Sequence, residues 1–411
     1  MKLNNIFQII EQAEVEWKPL GEVATLYGGL TGKSKNDFES GNAKYITYKN
    51  IFGNLEIDCT TLESVKISEN EKQHCVQYGD VLFTGSSEIS EEAGMSAAVT
   101  THFDEPIYLN SFSFGIRFNE DIDIAPEFAK FLFRSNFMRK QIIKTASGVT
   151  RFNISKEQFK KIQIPIPPIS LQKEIVNILD KLTELKATLK AELSLREKQY
   201  QYYRDYLLTF GDDVEWKTLK DVALDFGRGK SKHRPRNDVR LYGGDIPFIQ
   251  TGDIRNSSHL IEDYSQTYSD FGLQQSKLWK KGTLCITIAA NIAETGILNF
   301  DACFPDSIIG FVADPKQTSE AYVEYLLSSF KTKLQSQSTG SAQENINLAT
   351  FDNLLLPFPP LESQQKIVAI LDKFERLTHS ITEGLPKEIE LREKQYQYYR
   401  DKLLNFNKNK M

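Results

Sequence analysis

The chain has 411 residues, 40% of them hydrophobic and 26% charged, with a net charge of −5. That balance excludes a disordered tail and supplies apolar mass for two or three domains. It also weighs against a simple nucleic-acid binder with a basic footprint, although net charge leaves the local distribution open.

The opening Met1 to Ile10 has neither a basic leader with a sustained apolar stretch nor a cleavage site. No run of about eighteen apolar residues follows anywhere. The expectation is a cytoplasmic protein without a membrane segment. Cys59, Cys75, Cys285 and Cys303 lack the close spacing of zinc ligands, and the five histidines do not join them. They read as reduced core thiols.

Val15-Glu16-Trp17-Lys18 opens the first domain, and Gly28-Gly29-Leu30-Thr31-Gly32-Lys33-Ser34 follows. A phosphate loop would need glycine where Tyr27 stands, so that reading fails. Lys33 and Lys35 are candidate phosphate contacts, offset by Asp37 and Glu39, with a solvated loop as the alternative. Lys44 to Tyr48 and Gly79 to Thr84 read as strands, and Pro126 to Ile143 reads as helix. The loops Tyr48-Lys49-Asn50 and Ser147 to Ile154, with Arg151 and Asn153, carry side chains able to bond base edges. A turn role for Asn153 is the alternative.

After Pro165-Ile166-Pro167-Pro168 the pattern turns helical. Ile175, Ile178, Leu182, Leu185, Leu189 and Leu193 step like a coiled-coil seam. A helix from Leu171 to about Leu208 spans roughly 57 Å. It ends in Leu195 to Asp205, LREKQYQYYRD, whose Tyr200, Tyr202 and Tyr203, with Phe210 beyond, read as a packing face or a partner surface.

Everything then repeats. Val214-Glu215-Trp216-Lys217 restates the opening, and Gly229-Lys230-Ser231-Lys232 matches Gly32 to Lys35. Here the loop is strongly basic, with Arg228, Lys230, Lys232, Arg234, Arg236 and Arg240 opposed only by Asp238. Pro247 to Thr251 and Gly282 to Thr287 match the earlier strands, and Glu320 to Leu334 matches the helix. The loops with Thr251 and Asp253, and with Gln343 and Asn345, stand where Tyr48, Asn50, Arg151 and Asn153 stood. Pro357-Phe358-Pro359-Pro360 leads into a second seam, Ile367, Ile370, Phe374, Leu377, Ile381 and Leu385. LREKQYQYYRD returns letter for letter at Leu391 to Asp401, with Tyr396 and Tyr399. The offset rises from 192 to 196 around Gly384 to Lys387, where Pro386 predicts a kink or short break.

A duplicated unit whose apolar seam cannot be buried alone predicts that the two long helices pack on each other, antiparallel. The fold class expected is α+β: two mixed α/β domains separated by two long antiparallel coiled-coil spacer helices, a pseudo-twofold internal repeat. No nucleophile elbow, dinucleotide fingerprint or metal-ligand spacing occurs in either copy, which points to a non-catalytic chain.

With both copies in this order, the chain resembles the DNA-specificity (S) subunits of type I restriction-modification systems. The carriers are the paired V-E-W-K openings, the G-K-S-K loops, the Pro-rich lead-ins P-I-P-P-I-S-L-Q-K-E-I and P-F-P-P-L-E-S-Q-Q-K-I, the Leu-Asp-Lys pairs at 179 to 181 and 371 to 373, and the LREKQYQYYRD ends. The resemblance implies two target-recognition domains, 1–170 and 211–362, and two spacer helices, 171–210 and 363–411. Each domain would read half of a split double-stranded DNA site, through the candidate residues named above. The helices would dock two methyltransferase (M) subunits, with Tyr200, Tyr203, Tyr396 and Tyr399 as partner contacts, and restriction/translocase (R) subunits would join. Thr183-Glu184-Leu185 and Ala191-Glu192-Leu193 look like the helical repeats that set the gap between half-sites in some members. S-adenosylmethionine, ATP and Mg would belong to the partners, with no cofactor in this chain. A stand-alone two-domain DNA-binding regulator and a coiled-coil protein scaffold are the competing readings.

Overall fold

A computed structural model describes residues 3–407 apart from 212, 258, 289–292, 339–350, 352 and 381–382; the side chains of 3–5 and 331–338 are likewise left aside. The chain divides into two compact units, Met1–Ala187 with Leu391–Met411, and Thr188–Glu390. Each unit therefore combines one domain with the start of the helix that follows it and the LREKQYQYYRD end of the other copy.

In the first unit, strand Glu16–Pro19 pairs antiparallel with Gln163–Ile166, Trp17 opposite Pro165, and ties the start of the domain to its exit. The main sheet is antiparallel, in the order Ala24–Gly28, Ser113–Phe118, Val81–Thr84, Ser96–Ala98. Val81–Thr84 is buried along its whole length. Alternation explains why: Val81 and Phe83 enter one core while Leu82 enters another on the opposite face. The Phe83 ring meets Phe114, Phe133 and Phe159 at centroid distances of 5.4, 5.2 and 4.9 Å. A second sheet runs Glu63–Val65, Ala43–Ile46, Ile107–Leu109, Cys75–Val76. The helical pattern from Pro126 to Ile143 is two helices, Pro126–Leu132 and Asn136–Ile143, because the Ser135 side chain caps the second by accepting from the Met138 amide.

The second unit repeats the plan. Glu215–Lys217 pairs with Leu356–Phe358, and the sheet order is Ala223–Arg228, Ile308–Ala313, Leu284–Thr287, Thr295–Leu298, Leu260–Ile261. Leu284 and Ile286 face one core and Cys285 the other. The turn before each central strand needs a left-handed glycine, Gly79 (φ 88°) and Gly282 (φ 92°). The thiols divide differently from expectation: Cys285 and Cys303 are core residues, whereas Cys75 is half-buried and Cys59 is exposed on a short turn.

The expected central helix is continuous over Ile169–Leu207, about 58 Å long. Its buried start is Leu171, Ile175 and Leu179, spaced by four and packed into the domain core. Leu185 is 38% exposed, and in the second copy Ile370 is 41% exposed while Leu371 is buried. The start of each helix is thus spent on the domain that precedes it. Gln172 and Gln364 explain part of the repeated lead-in. Gln172 Nε2 donates to the carbonyls of Asp123 and Pro167, and Gln364 Nε2 donates to those of Gln317 and Pro359. The expected break occurs: one helix is Leu361–Thr378 and the next Gly384–Leu403. It lies upstream of Pro386, which sits in the first turn of the new helix, where proline costs no intrahelical bond. Gly384 has φ 76°, and a Cβ there would lie 2.4 Å from the Arg376 carbonyl oxygen.

Candidate nucleic-acid interface

The loops expected at Tyr48 and Thr251 are the first turns of short helices, Tyr48–Gly53 and Thr251–Asn256. Asn50 is 4% exposed; its amide donates to the Asp58 carbonyl at 2.8 Å and its Oδ1 accepts from the Asp58 amide at 3.0 Å. Asp253 caps its helix, accepting from the amides of Gln250 and Ser265 at 2.8 and 3.1 Å. These two residues do structural work, and Thr251 stands beside Asp253 at the helix start. Lys49 is exposed.

Tyr48 and Arg151 converge on Ser86. The Tyr48 hydroxyl donates to the Ser86 carbonyl at 2.9 Å and Arg151 Nε donates to Ser86 Oγ at 3.1 Å. Strand Phe152–Ile154 pairs with Ser86–Ser87 and holds Arg151 and the exposed Asn153 at this edge. The Arg151 guanidinium also lies 5.9 Å from the centroid of Phe112, an aromatic 65% exposed. Phe112 went unnoticed in the sequence; the available signal was an aromatic inside the turn Asn110-Ser111-Phe112-Ser113.

Lys33 is not free for phosphate. Its Nζ donates to the Lys66 carbonyl at 2.6 Å and pairs with Glu71, with only 6% of the side chain exposed. The Lys33 ammonium holds the Glu71 carboxyl down to about 2. Lys35 is exposed on the turn Lys35–Phe38. The two G-K-S-K loops are also not equivalent in space. The Gly29 amide donates to the Ser113 carbonyl and the Gly229 amide to that of Ile308, at the same place in the two sheets. A Cβ at either would strike backbone, the Asn110 carbonyl oxygen at 1.9 Å or that of Phe304 at 2.2 Å. The second loop therefore begins three residues earlier in the fold than the first.

In that second loop, Arg228, Lys230 and Lys232 are exposed and carry no ion pair among the described residues. Arg234 donates to the carbonyls of Ser231 and His233. Arg236 pairs with Asp306 at 2.9 Å. Arg240 pairs with Asp238 at 2.7 Å, and this guanidinium, with His233 at 2.8 Å, holds the Asp238 carboxyl far below its usual range. The free charge is thus concentrated at the start of the loop. Gln343 and Asn345 lie outside the described residues.

The tyrosines separate by face. Tyr200 and Tyr396 are 8% and 6% exposed and join the cores of their units. Tyr203 stacks on Phe374 and Tyr399 on Phe7. Each buried tyrosine lines a cleft, of about 460 Å³ in the second unit and about 680 Å³ in the first. The outward aromatics are Tyr202, Tyr206 and Tyr398, at 65%, 67% and 54% exposure. Every third or fourth residue of a helix shares a face, so within QYQYYRD Tyr200 and Tyr203 lie together against Phe374 while Tyr202 points away.

A family model described as the type I restriction modification DNA specificity domain matches twice, over residues 13–195 and 211–391. The Escherichia coli type I restriction enzyme EcoR124I/EcoR124II specificity subunit is 38% identical over 275 residues, covering 62% of this chain and 65%, just under two thirds, of that protein. A Haemophilus influenzae chain assigned as a type I restriction enzyme specificity subunit, S.HindORF215P, is 32% identical over 426 residues, 99% of this chain and 100% of its own. Among solved structures, the HsdS subunit from Thermoanaerobacter tengcongensis gives a TM-score of 0.53 at 19% identity, covering 96% of each chain. A chain from a study of complex assembly and conformational transition in the type I R-M system gives 0.64 at 18% identity, covering 96% of this chain and 98% of that one. These two show the fold. No described helix is long and apolar enough to cross a membrane. With two matched domains in tandem and a relative aligned end to end, the chain belongs to the type I restriction-modification DNA specificity family.

Proposed function

We infer that this chain reads an asymmetric, bipartite site on double-stranded DNA, one half per unit, and directs methylation and restriction carried out by partner subunits in the cytoplasm. The observation that carries this is divergence on a retained scaffold. The two units share sheet, glycine turns and glutamine clamps, yet one presents Tyr48, Phe112 and Arg151 while the other presents Arg228, Lys230 and Lys232. Equal scaffolds with unlike surfaces favour unlike half-sites, since base readout depends on which side chains reach the groove. Phosphate contacts fix register and carry little sequence information, which suits the lysines and arginines of the second loop.

Two adenine methyltransferase subunits docking on the helical ends, joined by restriction/translocase subunits, complete the reading. The outward Tyr202, Tyr206 and Tyr398 support such docking, because exposed tyrosines on a rigid helix suit interface anchors. S-adenosylmethionine, ATP and Mg would be bound by those partners, which would also supply much of the phosphate contact that an acidic chain lacks. The test is co-expression with the neighbouring methyltransferase, followed by methylation mapping. Exchanging residues 220–355 should change one half-site and spare the other. Failure to co-purify a methyltransferase would instead favour a stand-alone regulator.

A further inference from the structure

We propose that Phe112 is a base-contacting specificity residue of the first unit, held in position by Arg151; this rests on the half-site reading above. Four observations carry it. Phe112 is 65% exposed and belongs to none of the apolar cores. Its backbone is nevertheless fixed: the amide donates to Asn110 Oδ1 at 3.0 Å and the carbonyl accepts from the Gly85 amide at 2.8 Å. Asn110 is itself 6% exposed, with its amide donating to the Ile46 carbonyl at 3.1 Å, so the turn is anchored in the domain. The Arg151 guanidinium, 5.9 Å from the ring centroid, covers one side of the ring while its Nε is bonded to Ser86.

An aromatic ring this exposed on an anchored turn keeps apolar area that a ligand can bury, at a gain of roughly 25 cal/mol per Å² covered. The second unit shows what the turn needs for folding. There the Ser307 carbonyl accepts from the Ile288 amide at 3.0 Å, the same bond that Phe112 makes with Gly85. Serine serves the turn equally well, so the aromatic ring is not required by the backbone. What the ring adds is a flat apolar surface beside Arg151, suited to a thymine methyl or a base face.

Methylation mapping of DNA from cells carrying the wild-type chain and its methyltransferase first defines the target. Purified complexes with wild type, Phe112→Ala and Phe112→Leu are then compared on a duplex bearing that target and on one with the first unit's half-site scrambled. Phe112→Ala is expected to bind the target roughly tenfold to a hundredfold more weakly, with unchanged binding to the scrambled duplex. Phe112→Leu recovers part of the loss. Equal binding of wild type and Phe112→Ala to the target overturns the proposal and leaves the half-site reading standing. An equal loss on both duplexes also overturns it, because that marks a folding or phosphate defect. A wild-type complex with no bipartite methylation overturns both.

Discussion

The Tyr27 hydroxyl donates a 2.6 Å hydrogen bond to Oδ2 of Asp80, a carboxylate with no exposed surface. Arg117 completes the group with bonds of 2.8 and 2.7 Å to the two carboxylate oxygens, and burial together with the Asp80 charge pushes the Tyr27 phenol well above its usual range. Removing Asp80 leaves a guanidinium and a phenol without their partner at the start of the central strand. Asp80→Ala should destabilise the first unit by about 3 kcal/mol, read as a shift of its unfolding transition by calorimetry. An unchanged transition would show that solvent replaces the carboxylate.

Lys33 and Glu71 predict an acid-sensitive loop. Glu71 is held down to about 2, so its stabilising contribution is present above the ordinary carboxylate range near 4.5 and is lost as pH falls from there toward 2. Hydrogen exchange at Lys66 and Ser68 should accelerate over that interval in the wild type. In Lys33→Ala it should be fast throughout, with sequence-specific binding at neutral pH retained.

Two histidines in the second unit predict the opposite pH dependence. His259 lies 3.1 Å from Glu324 and His379 lies 3.3 Å from Glu375. Burial lowers His259, but the Glu324 bond and charge outweigh it; for His379 the Glu375 bond is the largest influence, and both end above the usual histidine value. Their contribution is full below about 6.5 and fades as pH rises through the elevated values. The melting temperature of the second unit should fall between pH 6 and pH 8. Glu324→Gln with Glu375→Gln should flatten that slope; a slope that persists in the double variant would assign it to other groups.

Unpaired and paired cations of the second loop should separate in salt titrations. Neutralising Arg228, Lys230 or Lys232 should each reduce the log-log salt slope of DNA binding by about one. Arg240, engaged with Asp238, and Arg236, engaged with Asp306, should change the slope less. Equal effects from all five would mean that the ion pairs open on DNA.

The tyrosine faces make a further distinction. Tyr396→Ala empties a core position and should cost about 3 kcal/mol in the first unit. Tyr202→Ala with Tyr398→Ala should leave unfolding unchanged and weaken co-purification with the methyltransferase. Intact assembly in that double variant would remove these rings from the docking surface.

The duplication, the two mixed domains, the long central helix and the interruption near Pro386 were legible in the sequence. Each is a matter of local periodicity, repeated letters or backbone chemistry, which tertiary context rarely overrides. The identity of Gln172 and Gln364 as clamps was implicit in their repetition, but their carbonyl partners at Asp123 and Gln317 come from distant chain. Only the tertiary structure decided which polar residues remain available to a ligand. Asn50, Asp253 and Lys33 carry the right functional groups, yet burial and ion pairing commit them to the protein itself. Phe112 looks like core from its type and is surface by its position on an anchored turn. Composition states what a side chain can bond; the packed fold determines what already occupies it.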